Sequence, residues 1–248
     1  MVVPEPGSLQ SLSLWIGSVA MGLAALKFLW DGWSVRDPET QEYYVITIFV
    51  PAIAAVSYFS MATGFGVVSF DAGPGMGETV IYWARYADWL FTTPLLLLDL
   101  CLLAEADRNT IYTLVGLDVF MIGTGVAGAL AREGQTIRVV WWAISTGALL
   151  VLLYLLFETL SEQASRLSAD RASLFGRLRN LVIGLWLLYP VIWILGTEGG
   201  VELFGLGVET ALFAVLDVAA KVGFGALLLR SREVWASDAA GSAAPADD

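Results

Sequence analysis

The sequence predicts an all-α fold, a bundle of seven transmembrane helices with a short β-hairpin in the loop between the second and third. Two observations carry this. Of 248 residues, 57% are hydrophobic before glycine is counted, which exceeds the usual soluble range even with glycine included. Most stretches between polar breaks are apolar for about 20 residues or more, enough at about 1.5 Å per residue to cross a hydrocarbon core about 30 Å thick. The breaks are short, as antiparallel neighbours require. The N-terminal Met-Val-Val-Pro-Glu-Pro segment lacks a basic n-region and a small-residue cleavage site, so the first helix is expected to act as its own insertion signal.

The apolar runs fall at residues 9–32, 43–65, 82–103, 109–130, 137–160, 173–196 and 207–231. In the first, Lys27 lies near one end with Asp31 four residues on, a spacing that lets the lysine snorkel and pair. After the second, the alternating Val67 to Phe70 and Thr79 to Tyr82 flank Gly73-Pro74-Gly75, a hairpin signal. The third carries Arg85, Asp88, Thr92 and Asp99 within a sector of about 60° and over roughly 21 Å of length. The fourth contributes Asp118, and the fifth places Trp142 inside its span. In the sixth, Trp186, Tyr189 and Trp193 share a face, with Pro190 among them. The seventh sets Asp217 one turn before Lys221, with Glu209 roughly 12 Å away toward the opposite end. Residues 1–232 therefore read as one membrane domain, and residues 233–248, rich in Ala, Ser and Asp, as a disordered acidic cytoplasmic tail.

Basic residues at the loops and helix ends decide orientation. Arg36, Arg108, Arg166, Arg171, Arg177, Arg179, Arg230 and Arg232 fall on one side, against Arg132 and Arg138 on the other. The positive-inside rule then puts the N-terminus outside and the C-terminus in the cytoplasm. The net charge of -11 argues against nucleic-acid binding, which needs Lys and Arg for the phosphates. An acidic surface suits a protein that stays soluble at high salt. The lone Cys101 reads as inert packing, and without histidine there is no His-based metal site and no imidazole base. No metal is expected.

Charges at mid-membrane cost about 2.5–3.5 kcal/mol each on insertion scales, so Asp88, Asp99, Asp118, Asp217 and Lys221 together oppose insertion by roughly 10 kcal/mol or more. Burial disfavours a charged carboxylate unless a cation or hydrogen bonds support it. Asp88, near Arg85 and Lys221, is therefore expected to be ionised, and isolated Asp99 to be protonated. Such a pair makes an acceptor and a donor. From charge placement alone, a static salt-bridge core, a channel or carrier, and a proton relay all stand, and Asp118 reads equally as a packing residue or part of a ligand pocket. Trp89, Trp142, Trp186 and Trp193 lie inside spans although tryptophan normally collects at interfaces. They suit either the walls of a flat conjugated ligand or ordinary helix packing.

The stretches Arg85-Tyr86-Ala87-Asp88-Trp89-Leu90-Phe91-Thr92-Thr93-Pro94 through Asp99, and Asp217 to Gly225 around Lys221, resemble the microbial rhodopsins, in particular the proton-pumping type of halophilic archaea. Trp141 to Thr146, Trp186 to Trp193 and Gly196-Thr197-Glu198-Gly199 extend the resemblance over nearly the whole chain. It implies all-trans retinal bound covalently to Lys221 as a protonated Schiff base, with Asp88 and Asp217 as counterions and Arg85 balancing them. It further implies Asp88 as proton acceptor, Asp99 as cytoplasmic proton donor, and Glu198 with Glu209 as the release pair. Tyr58, Trp89, Met121, Trp142, Ser145, Thr146, Trp186, Tyr189 and Trp193 would line or support the pocket. Thr92 and Thr47 would hydrogen-bond near acceptor and donor, and Leu96 would favour green absorption. Glu202 departs from the pattern near the release pair.

The expected function is thus a light-driven outward proton pump, not an enzyme, in the cell membrane. Similar chloride pumps lack a carboxylate at the Asp88 position, and similar sensory rhodopsins, which signal through a membrane transducer, usually lack one at the Asp99 position. A non-photochemical carrier or structural bundle is the alternative from another class. Expected partners are membrane lipids and two further copies in a homotrimer, and the resemblance leaves a second, antenna-like carotenoid open.

Overall fold

The computed structural model describes residues 3–232; the tail expected at residues 233–248 lies outside them. Seven helices are long and apolar enough to cross a membrane: α1 (Leu9–Gly32), α2 (Pro38–Ala62), α3 (Trp83–Leu103), α4 (Arg108–Leu130), α5 (Gln135–Ala164), α6 (Ala169–Leu195) and α7 (Leu206–Arg230). Each packs on its sequence neighbour, and α1 packs on α7, closing a ring. The chain is a multi-pass membrane protein.

Helix starts are set by capping oxygens that satisfy the free N–H groups of the first turn. Ser8, Asp37, Asp107 and Ser168 cap α1, α2, α4 and α6. The Asp107 carboxyl, outside the membrane, is held below the usual carboxylate range by its hydrogen bonds from Thr110. These caps explain where the sequence boundaries fell short. The second span begins at Pro38, not 43, and the sixth at Ala169, not 173, because polar first turns are helical yet invisible to hydropathy. The fifth runs on to Ala164 past a break at Glu158. In α6 the helix breaks at Leu187, between Trp186 and Leu188, just ahead of Pro190. A proline ring clashes with the carbonyl four residues back, which here belongs to Trp186.

The hairpin is present: β1 (Val68–Asp71) pairs antiparallel with β2 (Glu78–Ile81), Val68 facing Ile81 and Asp71 facing Glu78. Its strands sit one residue further in than the alternation suggested, because Tyr82 is withdrawn to begin α3. Gly73, Gly75 and Gly77 take positive φ in its turn. Pro74 accepts a bond from the Gln135 amide at 3.2 Å, and the Arg132 guanidinium lies over the Phe70 ring at 4.6 Å, so the hairpin is fastened to the start of α5.

The most buried spans are α3 and α7, with 61% and 56% of their apolar windows inside the protein against 22% for α6. Those two helices carry the intramembrane charges other than Asp118 on α4, so most of the costly groups are kept from lipid.

Candidate functional site

Lys221 lies on a π-helical turn, Ala219–Gly223, inserted in α7. Such widened turns often mark functional positions. The side chain is 2% exposed, and its Nζ donates to Asp88 Oδ2 at 2.6 Å and to Asp217 Oδ1 at 2.9 Å. A buried lysine thus bridges one carboxylate from α3 and one from its own helix.

The two carboxylates are not equivalent. Asp217 accepts from four donors: Lys221, Tyr58 at 2.7 Å, Tyr189 at 2.9 Å and Trp89 at 3.1 Å. Asp88 has Lys221 and a share of the Thr92 hydroxyl, which sits 2.8 Å from the Asp88 carbonyl and 3.3 Å from Oδ1. Tyr58 can approach because residue 17 on α1 is glycine; a Cβ there would lie 2.6 Å from the ring.

Beside Lys221 opens an apolar cavity. Trp89, Met121, Trp142, Ser145, Thr146, Trp186, Tyr189 and Trp193 all line it, as do Tyr86, Thr93, Leu96, Gly125 and Leu149. Its charged lining groups are Asp217 and Lys221, one helical turn apart. Along the walls, the Ser145 hydroxyl is taken up by the Met121 carbonyl and the Trp142 indole by the Pro190 carbonyl, while Thr146 Oγ1 has no partner among the described residues. A long apolar group ending in a link to a primary amine fits this donor set.

Of the residues weighed for the pocket, Tyr58 and Asp118 are not in its lining. Tyr58 holds Asp217, and Thr92 lies at Asp88 as expected. Asp118 is fully buried and accepts from the lining residue Thr93 at 2.8 Å, joining α4 to α3. Leu96 does line the cavity.

Toward one end of the bundle, Arg85 departs from expectation. It pairs with neither Asp88 nor Asp217; its Nη1 meets Glu198 at 3.1 Å, and its guanidinium stacks over Phe213 at 4.3 Å. Lys221 already fills the gap between the two aspartates, whereas Glu198 is a fully buried carboxylate that needs a cation. Glu198 also accepts from the Tyr86 hydroxyl and from Trp193 Nε1 at 3.0 Å. Glu209 is equally buried and accepts from the Thr197 amide at 2.7 Å and its hydroxyl at 2.6 Å. No hydrogen bond joins Glu198 directly to Glu209 among the described residues. Glu202 is exposed on the loop beyond them.

Toward the other end, Asp99 is 1% exposed; among the described residues its one hydrogen-bond partner is the Thr47 hydroxyl at 3.3 Å, and its Oδ1 has none. Four polar side chains escape the sequence reading. Tyr86 stands out in sequence only as part of a motif, although its position three residues before Trp89 marks it as facing inward. Thr197 had no signal beyond its neighbour Glu198. Arg138 and Arg171 were counted as loop charges, yet both are buried.

A seven-helix membrane protein with a buried lysine between two carboxylates at the head of an apolar cavity belongs to the class of retinal-binding rhodopsins. Comparison makes the family definite: the chain belongs to the bacteriorhodopsin-like protein family, whose sequence model matches residues 8–234. It is 61% identical over 236 residues to a bacteriorhodopsin of Haloterrigena sp. strain arg-4, covering 95% of this chain and 93% of the relative. Among solved structures, thermophilic rhodopsin from Rubrobacter xylanophilus aligns with TM-score 0.83 and 45% identity, over 91% of this chain and 96% of that one. Halorhodopsin, a light-driven chloride pump, aligns with TM-score 0.87 and 31% identity, over 94% and 98%. The family implies a retinal chromophore.

Proposed function

We propose that this chain is a light-driven proton pump that binds all-trans retinal through Lys221 and moves protons outward. When bound there as a Schiff base, retinal supplies light absorption and an isomerisation that alters the surroundings of the Lys221 nitrogen. The observation that carries the reading is the inequality of the two carboxylates at that nitrogen.

Charge-assisted hydrogen bonds contribute about 1.5–3 kcal/mol each. A proton arriving on Asp217 would weaken four of them, whereas Asp88 has one such bond and a shared hydroxyl. The proton on the Lys221 nitrogen therefore goes to Asp88, and Asp217 remains the fixed counterion. Asp99, with no ion pair among the described residues, holds a proton on the far side and returns one to the nitrogen. Loss of charge on Asp88 leaves the nearby cations with less negative charge to balance them, which favours the ionised form at the Glu198 and Glu209 end, from which a proton is released. With the arginine-rich ends in the cytoplasm, Asp99 faces inward and the Glu198 end outward.

A chloride pump of the halorhodopsin kind would need room for an anion beside the Lys221 nitrogen. Asp88 Oδ2 occupies that place at 2.6 Å. The test is illumination of the retinal-reconstituted protein in cells or vesicles of known orientation. Outward acidification that collapses with a protonophore is expected; a visible pigment that shifts no pH would sink the reading.

A further inference from the structure

Beyond Asp99 the bundle ends in a second cavity of about 260 Å³, room for several water molecules. Tyr43, Cys101, Leu102 and Arg171 wall it, and the exposed carboxylates Glu39, Glu42 and Glu105 border it. Arg171 is the unusual member. It starts in the first turn of α6 yet is 3% exposed, and its whole guanidinium is engaged across the gap to α3. Nε donates to the Leu103 carbonyl at 2.9 Å, Nη2 to the Leu102 carbonyl at 3.1 Å, and Nη1 meets Glu105 at 2.8 Å. Those carbonyls are in the last turn of α3, where the helix dipole favours a cation; the Leu102 oxygen also takes the Glu105 amide at 3.1 Å. Tyr43 stands with Arg171 in the wall of the same cavity.

The spacing of these residues relates the cavity wall to the carboxyl. On α3, Leu103 lies one turn beyond Asp99; on α2, Tyr43 lies one turn before Thr47, the only hydrogen-bond partner of Asp99 among the described residues. Arg171 is bonded to Leu103 and walls the cavity beside Tyr43, so it belongs to the part of the wall that lies one helical turn from Asp99 and Thr47.

We propose that Arg171 is a positioning residue for proton return to Asp99: its clamp on the end of α3 keeps cavity water from Asp99 at rest, and its opening admits the water through which Asp99 is refilled. This rests on the reading of Asp99 as proton donor. The clamp predicts that Asp99 exchanges its proton slowly in the dark and that loosening Arg171 speeds exchange and refilling without touching the transfer to Asp88.

The experiment uses the full chain with retinal, reconstituted in membranes, as wild type, Arg171→Gln, Arg171→Lys and Asp99→Asn. Infrared spectroscopy follows hydrogen–deuterium exchange of the Asp99 carboxyl in the dark, and flash absorption with a pH-sensitive dye follows transfer to Asp88 and refilling of Asp99. Arg171→Gln is expected to speed exchange and refilling about tenfold, the equivalent of one lost charge-assisted hydrogen bond, with transfer to Asp88 changed by less than about twofold. Arg171→Lys, which keeps the charge but can hold fewer acceptors, should fall between. Unchanged exchange and refilling overturn the clamp, as does an equal change in the Asp88 and Asp99 steps, which is the signature of packing alone. If Arg171→Gln forms no pigment, Arg171→Lys decides by the same criteria. A carboxyl band or refilling rate unaltered in Asp99→Asn would instead remove the donor reading itself.

Discussion

On one side of Lys221, the carboxylates of Asp217, Glu198 and Glu209 are each held by two to four donors. On the other, Asp99 has one hydrogen-bond partner among the described residues and lies on a helix stretch with the buried Leu96, Leu97, Leu100 and Leu103. The polar side can receive a charge and spread it over fixed donors at little reorganisation cost. The apolar side makes a charge expensive, so it stores a neutral proton and resists leakage. A pump needs both, since a proton that can leave by the route it entered does no net work.

Breaking the junction between the halves should have the largest effect. Lys221→Ala removes the attachment point and leaves Asp88 and Asp217 buried without their cation, so no visible pigment forms on adding retinal, and the apoprotein loses about 3–5 kcal/mol of stability. Absorption spectra and thermal unfolding check the two parts separately.

Next come the two counterions, which sharpen the contrast. Asp88→Asn should abolish pumping while leaving a folded pigment, and Asp217→Asn should cost more stability by roughly 2 kcal/mol, because Tyr58, Trp89 and Tyr189 lose a charged acceptor. Equal unfolding temperatures for the two variants would defeat the donor-count explanation.

On the apolar side, Asp99→Asn should slow return of the proton to the Lys221 nitrogen about a hundredfold, in the range of a lost acid–base group, with recovery on adding a small acid such as azide. Thr47→Ala, which removes a bond of 3.3 Å, should change the same step only by about twofold. The smallest effect is expected at Asp118→Asn. It keeps an oxygen for Thr93, so pumping persists and stability changes by less than about 1 kcal/mol.

How far these halves could be read from the sequence depended on the range of the interaction. Periodicity placed Asp88 and Asp99 on one stripe and Asp217 beside Lys221, because i, i+4 relations within a helix are local. The Lys27–Asp31 pair, observed at 2.5 Å, was legible for the same reason. Partners from other helices were not: nothing local says that Arg85 turns to Glu198, that Tyr58 reaches Asp217, or that Arg171 folds inward onto α3. Loop arginines look alike until the ends of neighbouring helices are known to leave carbonyls unpaired. The π-helical turn at Lys221 likewise has no composition signal. The second and sixth helices were started late because hydropathy follows the membrane, whereas Asp37 and Ser168 cap helices that extend beyond it.

The assignment of Asp88 as the group that takes the proton is tested most directly by light-induced infrared difference spectroscopy on the wild type, Asp88→Asn and Asp217→Asn. A protonated-carboxyl band that rises as the Lys221 nitrogen loses its proton, persists in Asp217→Asn and is missing in Asp88→Asn is the predicted result. A band that survives in Asp88→Asn and disappears in Asp217→Asn would contradict it.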